Sequence, residues 1–349
     1  MSLESYLRAA PKAELHVHLE GSIRPATLLE LARRNGASLP AETEAGLREW
    51  FVFRDFAHFI EVYVAVSRCL KTAADYELIT YELGAELARQ NVRYAEVTFS
   101  PSTHELAMGI PHATYFPGLV AGRERVRREL GVELHWVFDI VRNLRQPERG
   151  ADYVTQVAIE GKDDGVVALG LGGLETGYPP EPFAPWFERA GAAGLHRVPH
   201  AGEIAGAPSV WGALRALGAE RIGHGVRSIE DAELVAYLAE RAIPLEVCPT
   251  SNVRLGVYPS LEEHPLRRLH DAGVVVTVNS DDPPLFNTTI GDEVATLATA
   301  FGFTAADVEA VDAILLNAVR AAFLPAERKA ALEAAFRDEL AALKGAHLG

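Results

Sequence analysis

The chain has 349 residues with 33 basic and 48 acidic side chains, a formal net charge of −15, and 48% hydrophobic residues. This balance excludes a disordered or collagen-like chain, and a net acidic chain without a basic stripe makes nucleic-acid polymers and anionic membranes poor partners. No apolar run reaches the ~18 residues of a membrane span, the opening MSLESYLRAAPKAE has no apolar signal core, and Cys69 and Cys248 are too few for a disulfide framework, so a cytoplasmic location is expected.

Eight short apolar or β-branched runs read as strands: Glu14–Glu20, Val92–Ser100, Glu133–Val141, Val166–Gly172, His196–Ala201, Arg221–Gly225, Pro244–Pro249 and Val274–Ser280. Segments with helical period lie between them, among them Ala73–Gln90, Asp231–Arg241 and Glu262–Ala272. Such alternation implies parallel pairing through βαβ crossovers. Eight units suggest a closed (β/α)8 TIM barrel, although an open doubly wound sheet would alternate in the same way. Asn35–Leu70 lengthens the first βα connection. Helical stretches at Glu293–Phe301, Ala305–Phe323 and Ala326–Leu343 follow the last strand. No Pro/Gly/Ser-rich linker interrupts the chain. One domain over residues 1–349 is therefore expected, with a barrel core over about 12–290 and C-terminal helices over 291–349.

The reactive residues fall at the expected C-terminal strand ends, where barrels keep their active sites. His16 and His18 lie two apart on the first strand, so both imidazoles share one face. The fifth strand ends in His200-Ala201-Gly202-Glu203, the sixth in Gly223-His224-Gly225, the eighth in Asn279-Ser280-Asp281-Asp282-Pro283. Three His and one Asp form a ligand set that suits Zn²⁺ with an open position. Each piece alone has a structural reading: packing for His-x-His, a turn or cap for Asp-Asp-Pro, a helix N-terminal carboxylate for Glu203. Together they point to one rim. His58, His112, His264, His270 and His347 fall in helices or loops and read as solvated or capping residues. There is no Pro-Cys-x-x-Cys deaminase signature, His-Glu-x-x-His helix, Walker loop or Gly-x-Gly-x-x-Gly. The fourth strand offers no lysine to bridge two metals, so one ion is preferred.

HVHLEGS (16–22), HAGE (200–203), RIGHG (221–225), CPTSN (248–252) and NSDDP (279–283) resemble the adenosine deaminase family of metal-dependent aminohydrolases, in motif order from about Ala10 to Leu324. The resemblance implies that His16, His18, His200 and Asp281 hold one zinc ion. It implies Glu203 as proton donor to the purine ring and His224 as the group that orients and deprotonates the attacking water. Asp282 would hydrogen-bond the substrate and the attacking oxygen, and a Gly173 backbone amide would contact the purine. The implied reaction converts a 6-aminopurine nucleoside to the 6-oxopurine with release of ammonia. A non-catalytic nucleoside-binding protein is the rival reading.

Adenosine deaminases of the well-known type carry Asp where this chain has Glu20, a position tied to the sugar 5′-hydroxyl. Glu there is similar to branches acting on free adenine or on aminodeoxyfutalosine, an adenosine with a large 5′ extension in menaquinone synthesis. FRDFAHFIEVYVAV (53–66) and SDDPPLFNTT (280–289) look closer to the aminodeoxyfutalosine branch. Phe53, Phe56, Phe59 and Ile60 form an apolar face that either packs an extra helix or lids the substrate. Thr98, Ser100 and Ser251 are weaker sugar-contact candidates. Monomer and homo-oligomer both remain open.

Overall fold

The computed structural model describes residues 2–349. Eight strands run in spatial order β1 (Lys12–His18), β2 (Val92–Phe99), β3 (Glu133–Val141), β4 (Val166–Gly172), β5 (His196–Ala201), β6 (Ile222–His224), β7 (Leu245–Val247) and β8 (Val276–Val278). Each neighbouring pair is parallel. The ring closes where Val17 pairs with Asp281. There the His18 N–H donates to the Asp281 carbonyl at 2.8 Å, and the Asp281 N–H donates to the His16 carbonyl at 3.0 Å. The sheet is thus a barrel and not an open sheet, and its closing seam is made of site residues.

Several strands stop earlier than their sequence suggests. β1 ends at His18 because Glu20–Ser22 turns into one 3₁₀ turn, held by the Ser22 hydroxyl donating to the His18 carbonyl at 2.6 Å. β6 and β8 shorten because the chain leaves the extended region just where the site begins. His224 (φ 60°) and Asp281 (φ 63°) are both left-handed without being glycine. Such residues each cost about 1–3 kcal/mol and persist where surrounding structure over-determines them. The segment 262–272 becomes helical only over Leu266–Asp271, since Pro265 disfavours helix in the residue before it.

The first βα connection holds helices Pro25–Asn35, Glu44–Trp50, Phe56–Ser67 and Ala73–Arg89. Helices Ile290–Thr299, Val308–Ala321 and Ala326–His347 follow β8. An N-terminal helix, Leu3–Ala9, was not foreshadowed by the strand–helix alternation; Ser2 caps it and its Tyr6 hydroxyl donates to Asp312. Among the described residues no helix is long and apolar enough to cross a membrane.

The barrel interior is polar in its middle. Arg221, just before β6, pairs with Glu96 and with Glu246 (2.6 Å), and its guanidinium lies 3.8 Å from the Phe323 ring centroid. All three charged residues are almost fully buried. Buried charges are tolerated when paired in this way.

Candidate active site

Every metal-ligand candidate reaches the same point. His16, His18 and His200 place ligand nitrogens within 4.8 Å of one another, as do donor atoms of His16, His224 and Asp281. The His18 Nε2 lies 3.3 Å from the His200 Nε2 and 3.3 Å from an Asp281 oxygen. Burial pushes the His18 pKa down to about 4 and that of His200 well below its ordinary value. Neutral imidazoles at this separation can both turn a lone pair to one shared cation.

His16 is oriented from behind. Its Nδ1–H donates to Glu246 at 2.9 Å, and its buried Nε2 has no hydrogen-bond partner among the described residues. This is the pattern of a metal ligand whose second nitrogen is fixed by a carboxylate. Glu246 is held in turn by Arg221, so the polar barrel interior supports the ion site. Burial opposes ionisation of Asp281, but the surrounding imidazoles, His16 above all at 3.6 Å, outweigh it and hold its pKa well below the usual carboxylate range. The Ser251 hydroxyl donates to the other Asp281 oxygen at 2.6 Å. That bond occupies the hydroxyl that the sequence offered as a sugar contact. These donors fit one divalent cation.

The acid–base candidates surround that point. Glu203 is buried, and burial, then the charges of Asp281 and Glu175, raise its pKa well above the ordinary value. The raised pKa favours the protonated carboxyl, the form that can give a proton. Asp282 is raised in the same sense by burial and by Asp281 beside it, and its Oδ1 has no partner among the described residues. The His224 Nε2 lies 3.8 Å from Glu203 and 3.9 Å from Asp281. Burial and the charge at His16 push its pKa down to about 3, so the ring is neutral.

A relay behind His224 orders its hydrogens. The Leu266 backbone N–H donates to His264 Nδ1 at 3.2 Å. His264 Nε2–H then donates to Asn252 Oδ1 at 3.0 Å, and Asn252 Nδ2–H to His224 Nδ1 at 3.3 Å. Because the first donor is a backbone amide, the direction of the rest follows. His224 therefore presents Nε2–H to the site. His264 is buried and wired to the site, and is not the solvated residue its loop position suggested. His58 is also buried, in the first turn of Phe56–Ser67, with Nδ1 accepting from the Arg54 N–H.

The site opens into a cleft of about 200 Å³ lined by His18, His200, Glu203, His224, Asp281 and Asp282. Its walls are largely apolar: Phe56, Phe59, Ile60, Tyr63, Val64, Met108, Leu144 and Leu255. The helix Phe56–Ser67 packs against the body of the protein and also lines the cleft. Phe59 stacks on Phe286 at 5.5 Å, and its neighbours line the cleft. Gly173 also lines it, with a φ of 85° that favours glycine; Ser100 lines it, whereas Thr98 does not.

Glu20 stands apart from the cleft wall. It is fully buried, with Oε1 accepting from His104 Nε2 (2.9 Å) and the Ser100 N–H (3.2 Å), while Oε2 is unpartnered among the described residues. Burial raises its pKa, but the His104 hydrogen bond and charge outweigh it, so the net shift is downward. Glu246, Asn252, Glu175 and Asp139 escaped the sequence reading. Asp139 lines the cleft from β3, and burial raises its pKa to about 8. Its carboxyl occupies the space that Cβ atoms would need at Gly170 and Gly172, 2.0 and 2.3 Å away. An acid within the apolar run Trp136–Val141, beside a Gly-x-Gly on the next strand, was the available signal.

The adenosine deaminase family model matches residues 11–339. An aminodeoxyfutalosine deaminase of Streptomyces avermitilis is 44% identical over 338 residues, covering 95% of this chain and 92% of that one. An adenine deaminase of Cupriavidus necator is 40% identical over 329 residues, covering 94% and 92%. The structure of an amidohydrolase from Burkholderia ambifaria with bound Zn has a TM-score of 0.90 at 29% identity, covering 98% and 94%.

Proposed function

The chain belongs to the adenosine deaminase family, and on that premise we propose that it is a zinc-dependent deaminase whose substrate is a 6-aminopurine nucleoside with a large 5′ extension, aminodeoxyfutalosine. One observation carries the reading: His16, His18, His200 and Asp281, which come together in overlapping groups of possible metal donors, share the floor of a largely apolar cleft with the buried carboxyl of Glu203, whose pKa is raised. The apolar wall, with Phe56, Ile60, Leu144 and Leu255, offers contacts that suit a substrate larger than a free base. The 44% identity to aminodeoxyfutalosine deaminase, against 40% to adenine deaminase, supports the same order.

His16, His18, His200 and Asp281 would hold the zinc. A bound zinc ion lowers the pKa of water from about 15.7 toward ~7, which makes hydroxide available at neutral pH. Attack at C6 breaks the purine's aromaticity. Glu203 gives its proton to N1 as charge builds there, a role its raised pKa allows. His224 orients the attacking oxygen through Nε2–H. Deprotonating the water would need the other tautomer, which the Asn252 relay disfavours. Asp282, its pKa raised, passes a proton to the departing amine and takes that of the new hydroxyl, so ammonia leaves and the 6-oxopurine remains; the water's first proton goes to solvent, from which Glu203 is reprotonated. Gly173 contributes a backbone contact to the base. Glu20 acts through the Ser100 and His104 wall beside the cleft. We take the whole chain as one barrel domain acting on a small molecule, and a cytoplasmic location accords with Cys69 and Cys248, both buried free thiols.

The test is ultraviolet absorbance of the zinc-loaded protein with aminodeoxyfutalosine, adenosine and adenine. The expected order of kcat/KM places aminodeoxyfutalosine first. Preference for adenine would overturn the substrate assignment, and no change with any of the three would overturn the deaminase.

A further inference from the structure

We propose that Glu175 is a positioning residue for Glu203, gripping four consecutive backbone N–H groups of the turn that carries it. This rests on the reading of Glu203 as proton donor. No other side chain hydrogen-bonds the Glu203 carboxyl among the described residues; its nearest ion-pair partner, His224, is 3.8 Å away. Its placement must therefore come from its backbone. That backbone is bound by one buried carboxylate. Glu175 accepts from the N–H groups of Gly202 (2.5 Å), Glu203 (3.2 Å), Ile204 (2.8 Å) and Ala205 (2.7 Å).

Successive N–H groups converging on one anion form a nest, and charge-assisted bonds of this kind are stronger than neutral ones. Gly202 makes the nest feasible: its φ is 70°, and a Cβ there would lie 2.4 Å from Val210. The carbonyl side of the same segment is held by a buried cation. Arg142 donates to the His200 carbonyl at 2.6 Å and the Leu171 carbonyl at 2.9 Å. The stretch from metal ligand to proton donor is thus clamped by a guanidinium on its carbonyl and a carboxylate on its amides. Glu175 also lies two residues beyond Gly173, so one loop after β4 both lines the cleft and fixes the acid.

The test is a double-mutant cycle of Glu175→Gln and Glu203→Gln, read as kcat, KM and bound zinc. Gln keeps the shape but replaces one accepting oxygen with an amide NH₂ that cannot accept. We expect Glu175→Gln to lower kcat roughly 100-fold, the scale of an ~1 Å misplacement, with KM moved by less than about threefold and zinc retained. The double variant should be no slower than Glu203→Gln alone, since both losses pass through one carboxyl. A kcat near the parental value, or a further loss in the double variant, would overturn the proposal. Parental turnover by Glu203→Gln would instead overturn the proton-donor reading. If Glu175→Gln fails to fold, Glu175→Asp, one methylene too short to span the four amides, carries the same expectations.

Discussion

Gly21 separates the placement of Asp282 from its chemistry. An ideal Cβ on Gly21 would lie 1.6 Å from Asp282 Oδ1, 2.4 Å from its Cγ and 2.6 Å from its Cβ. Ordinary contact begins at 3.4 Å, so the carboxyl must retreat by about 1.8 Å. Gly21 does not have positive φ, so alanine adds no backbone strain of its own. The cost of Gly21→Ala is then overpacking, about 1–3 kcal/mol of stability. The displacement exceeds the ~1 Å misplacement that costs ~100-fold in rate, so kcat should fall by at least that much. Thermal unfolding, bound metal and steady-state kinetics read the three quantities separately. Gly345→Ala, in the last helix with nothing within 4 Å of the added carbon, is the control and should retain parental kcat. Parental kcat in Gly21→Ala, with the protein folded and metal bound, would refute the role given to the Asp282 position.

Burial lowers the His264 pKa to about 3, against 6.5 for the exposed ring. The unfolded chain therefore binds a proton between these values that the native chain does not, and stability present above pH 6.5 is lost as pH falls toward 3. His264→Gln should remove up to about 1.4 kcal/mol per pH unit of that slope, measured by urea unfolding across the window; identical slopes would count against a buried neutral ring. Arg221→Met leaves Glu96 and Glu246 buried without their counter-charge, so stability should fall by about 3–5 kcal/mol. It should also weaken zinc binding about 10- to 100-fold through Glu246 and His16. Unchanged stability and zinc affinity would show the interior network to be incidental.

The barrel and the convergence of its ligands were legible because both depend on local pattern. Strand–helix alternation sets parallel topology, and period two puts His16 and His18 on one face. Strand ends were less legible, because His224 and Asp281 leave the ladder through left-handed conformations that ordinarily signal glycine. The supporting groups were hidden for another reason. Glu246 reaches His16 across 230 positions of sequence, Asn252 reaches His224 across 28, and Glu175 reaches the 202–205 turn from the preceding strand's loop. Such partners depend on packing, and no spacing rule marks them. His264 was misplaced as solvated for the same reason: a loop histidine gives no sign of burial until Asn252 and Leu266 surround it.

The most direct measurement is metal content per chain by mass spectrometry after zinc loading and exhaustive desalting, for the parent and for His200→Ala and Asp281→Ala. One tightly held ion in the parent and its loss in both variants, with folding retained, is the expected result. A full complement of zinc in either variant would place the ion elsewhere and contradict the site on which the proposed chemistry depends.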